Sequence, residues 1–397
     1  MSIKLSFTGD LMALIPENKA ANKDGRYDYY PVFDKIAPTL RDSDYVVGNL
    51  ETPVANEDLR WTYEPTIFNT PPAFAEAAVN AGFNCFSLSN NHCLDRGIEG
   101  LNQSLDNLRK LDVDFLGVYD NIEDSRKPLI KQIGDKKFAF LSFTYGTNSE
   151  WRNNKLAEQD RFRVDLIREQ NDFNNIKVNK KVQTVKDKIK KFIPQPILEK
   201  MIPLVIPECV RNEKELIKDS YNYKHLSEKI KKAKEEADFV IMLLHSGGQY
   251  NNEVGDYTRN VCKSMIEMGC DLIVTNHPHC VLSYEYFNDK LVLYALGNFC
   301  FTPGYGYFYK GVYADYSLIF NLYVDDGNPS EWKKSVTVCK SVKERSGHSV
   351  TYPVFDLINE ASGKKRQKLI DDNAAVLKRF FGSKASNYQT PEAEYFF

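Results

Sequence analysis

A chain of 397 residues, 42% hydrophobic and 27% charged, has the composition of a globular protein rather than a disordered or fibrous one. It exceeds the roughly 250–300 residues over which a single core grows, so one large domain with an insertion and two domains are both open. Its 52 Lys and Arg nearly balance 54 Asp and Glu, for a formal net charge of -2, which excludes a global electrostatic draw toward nucleic acid or a membrane surface.

Ile3–Phe7 reads as the first strand, and it starts too close to Met1 to leave room for a signal peptide. No run reaches the ~18 apolar residues of a spanning helix, so the expectation is a cytoplasmic protein without a transmembrane segment. Pro31–Arg41 has helical spacing at Val32, Ile36 and Leu40, and Tyr45–Val47 follows as a strand. Pro71–Ala81 opens with prolines suited to a first helical turn, Cys85–Leu88 is a strand, and Gly97–Leu111 is an amphipathic helix. Gly134-Asp135 splits Ile130–Ile133 from Phe138–Phe143 as a hairpin. After an intervening segment come His225–Glu236 (helix), Phe239–Leu244 (strand), Tyr257–Met268 (helix) and Leu272–Val274 (strand). A second hairpin turns at Asn288-Asp289, Tyr316–Val324 is a further strand, and Arg366–Phe381 is a closing helix. Alternating strands and helices give an α/β class.

The segment between the halves, residues 149–218, differs in character. It is basic and reads as mostly helical, with an amphipathic stretch at Val178–Ile193 carrying Lys177, Lys180, Lys181, Lys186, Lys188, Lys190 and Lys191 in and beside it. A solvated helical insertion, a lid that recruits an anionic substrate and a membrane-surface helix are all compatible with this pattern. None of the eight cysteines forms a Cys-x-x-Cys pair, and reduced thiols are expected. Cys93 is singled out because it follows His92.

Five polar clusters each end an apolar run. They are Gly9-Asp10, Asn49-Leu50-Glu51, Asn90-Asn91-His92, His245 and His277-Pro278-His279, and they hold four of the six histidines. Open α/β sheets place their sites beyond the carboxyl ends of strands. Asp10 and Glu51, buried together, would force one carboxyl to protonate unless a cation lay between them. His245, His277 and His279 add imidazoles suited to Zn, Mn or Fe, and Asn91 adds a neutral oxygen. The six ligands Asp10, Glu51, Asn91, His245, His277 and His279 suit one or two divalent metal ions. Singly each has an ordinary structural reading, such as a turn former or a buried histidine; their joint placement argues for a metal site.

Gly9-Asp10-Leu11-Met12, Asn49-Leu50-Glu51-Thr52-Pro53 and the run Ser89 to Gly97 resemble successive signatures of the CapA/PgsA family of bacterial poly-γ-glutamate capsule synthesis proteins. So do His245 to Tyr250, Asn276-His277-Pro278-His279 and Tyr294 to Phe299. That domain is similar to the calcineurin-like metallophosphoesterases. The resemblance implies a four-layer α/β/β/α sandwich over residues 1–148 and 219–325, interrupted by 149–218. Residues 326–397 then form a C-terminal strand and helix extension packed on the core.

The resemblance also implies roles. Asp10 and His279 would hold a first ion, Asn91, His245 and His277 a second, and Glu51 would bridge. His92 would protonate a leaving group, oriented by Asp95. Asn49, Asn90, Arg96, Tyr250, Glu285 and Asn298 are the candidate substrate contacts. Three positions depart from the pattern: Met12 stands where the phosphoesterases carry a histidine, Ser246-Gly247 replace Trp-Gly, and Asn276 replaces a histidine. The implied function is a metal-dependent hydrolase or transferase acting on an anionic polymer, a polyglutamate or a phosphorylated substrate. The alternative is a non-catalytic polymer-binding or scaffold component of a capsule synthesis complex.

Overall fold

Strands buried on both faces dictate the architecture. In Phe239–His245, Ile241 and Leu243 point to one side while Val240, Met242 and Leu244 point to the other, and all five are buried. Such a strand needs a covering layer on each side, and every central strand of the chain makes the same demand. The computed structural model describes residues 3–64, 66–172, 208–210, 213–305 and 311–397, and the basic stretch Val178–Ile193 with its lysines lies outside them.

Two sheets meet these demands. The larger has nine strands, in the order Ser349–Pro353, Lys333–Lys343, Tyr316–Val324, Ile3–Leu11, Tyr45–Leu50, Cys85–Ser87 and Asp114–Leu116. Asn298–Cys300 also pairs with Ile3–Leu11, and Tyr395–Phe396 with Lys333–Lys343. The six-stranded sheet runs Tyr284–Phe287, Lys290–Leu293, Leu272–Asn276, Phe239–His245, Lys136–Thr144 and Leu129–Ile133. Leu5, Phe7, Tyr45 and Val47 of the first face Phe138, Phe140, Ile241 and Leu243 of the second, and the helix Gly363–Phe381 closes this inner core with Val376, Leu377 and Phe380. Helices Ala73–Ala81 and Gly97–Lys110 cover the outside of the larger sheet through Phe74, Leu101, Leu105 and Leu108. Tyr221–Glu236 and Asp256–Met268 cover the other through Leu226, Ile230, Val261 and Met265. The result is a four-layer α/β/β/α sandwich.

Five strands of the larger sheet and four of the smaller pair in parallel, so their carboxyl ends gather at one edge. Asp10 lies opposite Asn49 in the larger sheet, and His245 lies between Thr144 and Asn276 in the smaller.

The structure departs from the sequence expectations in three places. The helix expected over Pro31–Arg41 is two short ones, Tyr30–Phe33 and Ala37–Arg41. Pro38 has no N–H to bond back to Asp34, so the chain turns and restarts with proline in the first turn. The described beginning of the 149–218 segment is not mostly helical. Beyond the single turn Ser149–Arg152 and the 3-10 turn Glu158–Arg163, its described residues are irregular. Val164 bridges to Val118 at the edge of one sheet and Leu166 to Thr144 in the other, so this stretch stitches the two sheets together. Residues 326–397, expected as one strand and a helix, contribute three strands to the larger sheet.

The stitch is fixed by a buried ion pair. Asp165, fully buried, lies 2.7 Å from Lys229 Nζ and 2.7 Å from His225 Nε2, and Lys229 also donates to Tyr119 Oη. All eight cysteines are free. Burial pushes the Cys93 thiol up to about 12, which leaves it packing rather than reacting. Among the described residues no helix is long and apolar enough to cross a membrane.

Candidate metal centre

The carboxyl-end edge brings together side chains from both sheets. Asp10 enters beside a backbone crossing so tight that Gly9 has no alternative. A Cβ there would lie 1.7 Å from the Gly297 carbonyl oxygen, while Asp10 N donates to that same oxygen at 2.9 Å. Gly9→Ala should therefore cost more than the ~1–3 kcal/mol of ordinary overpacking, because a backbone oxygen cannot rotate away. A urea midpoint equal to the parent's would contradict this crossing.

Asp10, Glu51, Asn91, His245, His277 and His279 converge, all buried. His279 Nδ1 lies 3.1 Å from Asp10 Oδ2 and 3.9 Å from Glu51 Oε2. His245 Nε2 lies 2.8 Å from Asn91 Oδ1, 3.3 Å from Glu51 Oε1 and 3.1 Å from His277 Nδ1. The contacts thus group Asp10 with His279, and Asn91 with His245 and His277, with Glu51 reaching both groups. Two ligand triads, Asp10-Glu51-His245 and Glu51-His277-His279, have their ligand atoms within 4.8 Å of one another.

The charge balance of this cluster tests whether a cation fits. Asp10 Oδ2 and both Glu51 oxygens are buried without a hydrogen-bond donor, and no Lys or Arg among the described residues pairs with either acid. Burial raises the Asp10 carboxyl, and the neighbouring Glu51 charge raises it further. Burial also pushes Glu51 up, but His279 and His245 outweigh it and hold the carboxyl below its usual range. Burial depresses His277 well below an ordinary imidazole, and His245 and His279 add to that. His279 is the exception: burial lowers it, yet Glu51 and Asp10 lift it to about 9. Orphaned carboxylate oxygens facing imidazoles are the donor set a divalent cation takes, and since its ligands must be deprotonated it would displace the proton held on His279. The residues are compatible with metal binding.

Backbone strain accompanies the cluster. His277 has φ 107° and His279 φ 56°, a left-handed region that costs a non-glycine residue of order 1–3 kcal/mol. The turn carrying both rings is held against that preference, as happens where geometry serves a site.

His92 sits at the rim. Its Nδ1 is 2.7 Å from Asp95 Oδ2, and that oxygen also accepts from Phe68 N at 2.7 Å. Phe68 stacks on the His92 ring at 4.2 Å. Met12, where a further histidine ligand would stand, belongs instead to an apolar cluster with Leu14, Phe68 and Phe301, so this wall supplies no ligand.

Four of the six expected substrate contacts hold hydrogen bonds within the protein. Asn49 donates to Asp10 Oδ1 at 2.7 Å and meets His245 Nδ1 at 3.3 Å, so it orients two ligands. Asn90 donates to Leu50 O and accepts from His92 N, tying two loops together. Asn298 Oδ1 lies 3.0 Å from His279 Nδ1 while its amide donates to two carbonyls. Glu285 is away from the crevice, its carboxylate held by Arg259 and the Tyr294 hydroxyl near the outer helix Asp256–Met268. Tyr250 lies beside His279, with ring centroids 5.6 Å apart. Arg96 follows Asp95 at the rim.

Sequence reasoning missed Tyr145, Phe68 and Asn148. Tyr145 stacks on His245 at 6.5 Å and packs tilted against His277 at 4.8 Å, and Asn148 Oδ1 accepts from Asn91 Nδ2 at 3.3 Å. Tyr145 directly follows a strand, the very signal that exposed the other clusters. Phe68 lies in an irregular loop and carried no signal.

A family model described as bacterial capsule synthesis protein PGA_cap matches residues 4–303. The capsule biosynthesis protein CapA of Bacillus anthracis is 25% identical over 307 residues, covering 76% of this chain and 61% of that protein. The PGA biosynthesis protein CapA of Bacillus subtilis is 24% identical over 305 residues, covering 76% and 64%. The chain thus matches less than two thirds of the length of these curated relatives. Among solved structures, a putative 5′-nucleotidase of Staphylococcus aureus in complex with alpha-ketoglutarate aligns over 94% of this chain and 58% of its own, at 14% identity and a TM-score of 0.42.

Proposed function

The chain belongs to the bacterial capsule synthesis protein family PGA_cap, and we propose that it is a metal-dependent hydrolase or transferase of capsule or surface-polymer biosynthesis, reacting in this crevice. The observation that carries the reading is the set of three buried carboxylate oxygens without donors, set against three imidazoles on one edge of the sandwich. Asp10, Glu51, Asn91, His245, His277 and His279 would hold one or two divalent ions, with Mn, Zn or Fe matching the mixture of imidazole and carboxylate. When bound, such ions polarise a phosphoryl or carbonyl oxygen and lower the pKa of water. The substrate class is an anionic polymer such as a polyglutamate, or a phosphorylated glycan intermediate.

The protein's own groups supply orientation and a proton. Asp95 accepts from His92 Nδ1, which fixes the tautomer and leaves Nε2 as the ring nitrogen without a partner among the described residues. Phe68 holds the ring from one side, and its backbone N–H holds the Asp95 oxygen in place. His92 Nε2 can then deliver a proton to a departing oxygen or nitrogen. Asn49 meets the His245 ring at Nδ1, the nitrogen turned away from Glu51, while Asn298 meets His279 at Nδ1, the same nitrogen that faces Asp10.

His92→Ala should lower turnover about 10²- to 10⁴-fold while metal content and fold stay at the parent level. The assay is a panel of phosphoesters and γ-glutamyl amides with Mn, Zn or Fe supplied. Metal-loaded protein with no turnover on any member would favour a binding component of a capsule synthesis complex.

A further inference from the structure

Beside His92 lie two guanidinium groups that the chemistry above does not use. Arg96 donates from Nε to Arg60 O at 3.2 Å and from Nη1 to Asp95 O at 3.1 Å, which leaves Nη2 buried without a partner. Arg152 donates from Nη2 to the carbonyl and hydroxyl of Thr66, which leaves Nε buried without a partner. Neither has a carboxylate at ion-pair distance among the described residues, whereas Arg109, Arg163 and Arg168 all do. A buried donor left unpaired is costly, more so when charged, so two of them at one rim call for an acceptor. Burial depresses the Arg96 guanidinium, Asp95 and Tyr63 oppose that shift, and the Arg152 charge adds to it.

Both belong to the rim of the crevice. Arg96 adjoins Asp95, the partner of His92. Arg152 donates its backbone N–H to Asn148 O at 3.1 Å, and the Asn148 side chain contacts the ligand candidate Asn91. Thr66, which Arg152 grips, is two residues from Phe68 on the His92 ring. Asn154 fastens the same turn to Leu94 O at 2.9 Å. Tyr63, 54% exposed and beneath the Arg96 guanidinium, and Trp151, 60% exposed, supply apolar surface next to the two charges.

We infer that Arg96 and Arg152 form an anion-binding subsite beside the reaction centre, taking a carboxylate or phosphate group of the substrate other than the one that reacts. The subsite deepens the proposed function and rests on it for the identity of the adjoining centre. A planar guanidinium pairs with two oxyanion oxygens at once, and two such groups on one rim would fix both the position and the direction of an anionic chain. The exposed rings flank the aliphatic part between successive charges.

The test is calorimetric binding of two probes, tri-γ-glutamate and glucose 1-phosphate, to the full chain with manganese and after chelation. Arg96→Gln, Arg152→Gln and Arg152→Lys are compared with the parent. Arg152→Gln should weaken at least one probe roughly 10- to 100-fold and flatten the salt dependence of binding, with Arg152→Lys intermediate. Loss for the peptide identifies a carboxylate ligand and loss for the sugar a phosphate ligand. Parent-level affinity for both probes in Arg152→Gln overturns the subsite, and Arg152→Gln decides the matter if Arg96→Gln does not fold. Metal content and turnover are read on the same samples. Arginine-dependent binding in protein that holds no metal would sink the metal reading and leave the subsite standing.

Discussion

Replacing Glu51 by glutamine is expected to empty the crevice of metal while leaving the fold in place. Glu51 is the one side chain common to both ligand triads, and neither of its oxygens has a hydrogen-bond donor to hold it otherwise. Losing an outer partner of a ligand weakens metal binding about 10- to 100-fold, so losing a shared ligand should exceed 100-fold. The swap keeps shape and removes a charge, and the two buried acids already oppose each other, since the Glu51 charge raises Asp10. The His279 and His245 interactions that hold Glu51 below its ordinary range are lost with that charge, so metal-free Glu51→Gln should keep the fold while melting somewhat lower than the metal-free parent. Elemental analysis after dialysis, with circular dichroism on the same sample, checks both halves. Full metal content in the variant would remove Glu51 from the centre.

The second large effect lies away from the site. Asp165→Ala should destabilise the protein by about 3–5 kcal/mol, because it leaves Lys229 charged and buried with no carboxylate. Burial pushes the Asp165 carboxyl up, but Lys229 and His225 outweigh it and hold it below its ordinary range. A depressed folded pKa means that the contribution is complete above the unfolded value of about 3.9 and is lost as pH falls through the lower folded value. The gap between parent and variant in urea unfolding should thus be constant near neutral pH and shrink below about pH 4. The double change Asp165→Leu with Lys229→Met should cost less than Asp165→Ala alone, since no charge is stranded. Equal stability of parent and Asp165→Ala at pH 7 would mean that the stitch between the sheets does not depend on this pair.

The sequence showed the ligand candidates because each ends an apolar strand, and strand ends of a two-sheet sandwich share an edge. Asp10, Glu51, His245 and His277 stand out on that ground alone. What the residues around them do was less visible. Asn49 and Asn298 occupy the same strand ends as the ligand candidates, and only the folded structure shows the hydrogen bonds they make to Asp10, His245 and His279. Glu285 was misplaced because strand alternation does not say which face of the sheet looks toward the crevice. Tyr145 follows a strand but carries neither a carboxylate nor an imidazole, so its sequence position alone does not mark it. Arg152 lies in a segment whose lysine-rich middle drew attention away from its ordered beginning. There, Val164 and Leu166 bridge two sheets through single pairings too short to leave a periodic pattern. Helical spacing at Val32, Ile36 and Leu40 was real, yet Pro38 broke the backbone beneath it.

The most direct test of the metal centre is anomalous diffraction from crystals of the full chain grown with manganese or zinc. The account requires one or two anomalous peaks enclosed by Asp10, Glu51, His245, His277 and His279, with Glu51 touching every peak. Crystals of metal-treated protein showing no peak in this crevice, or a peak held by other residues, would contradict it.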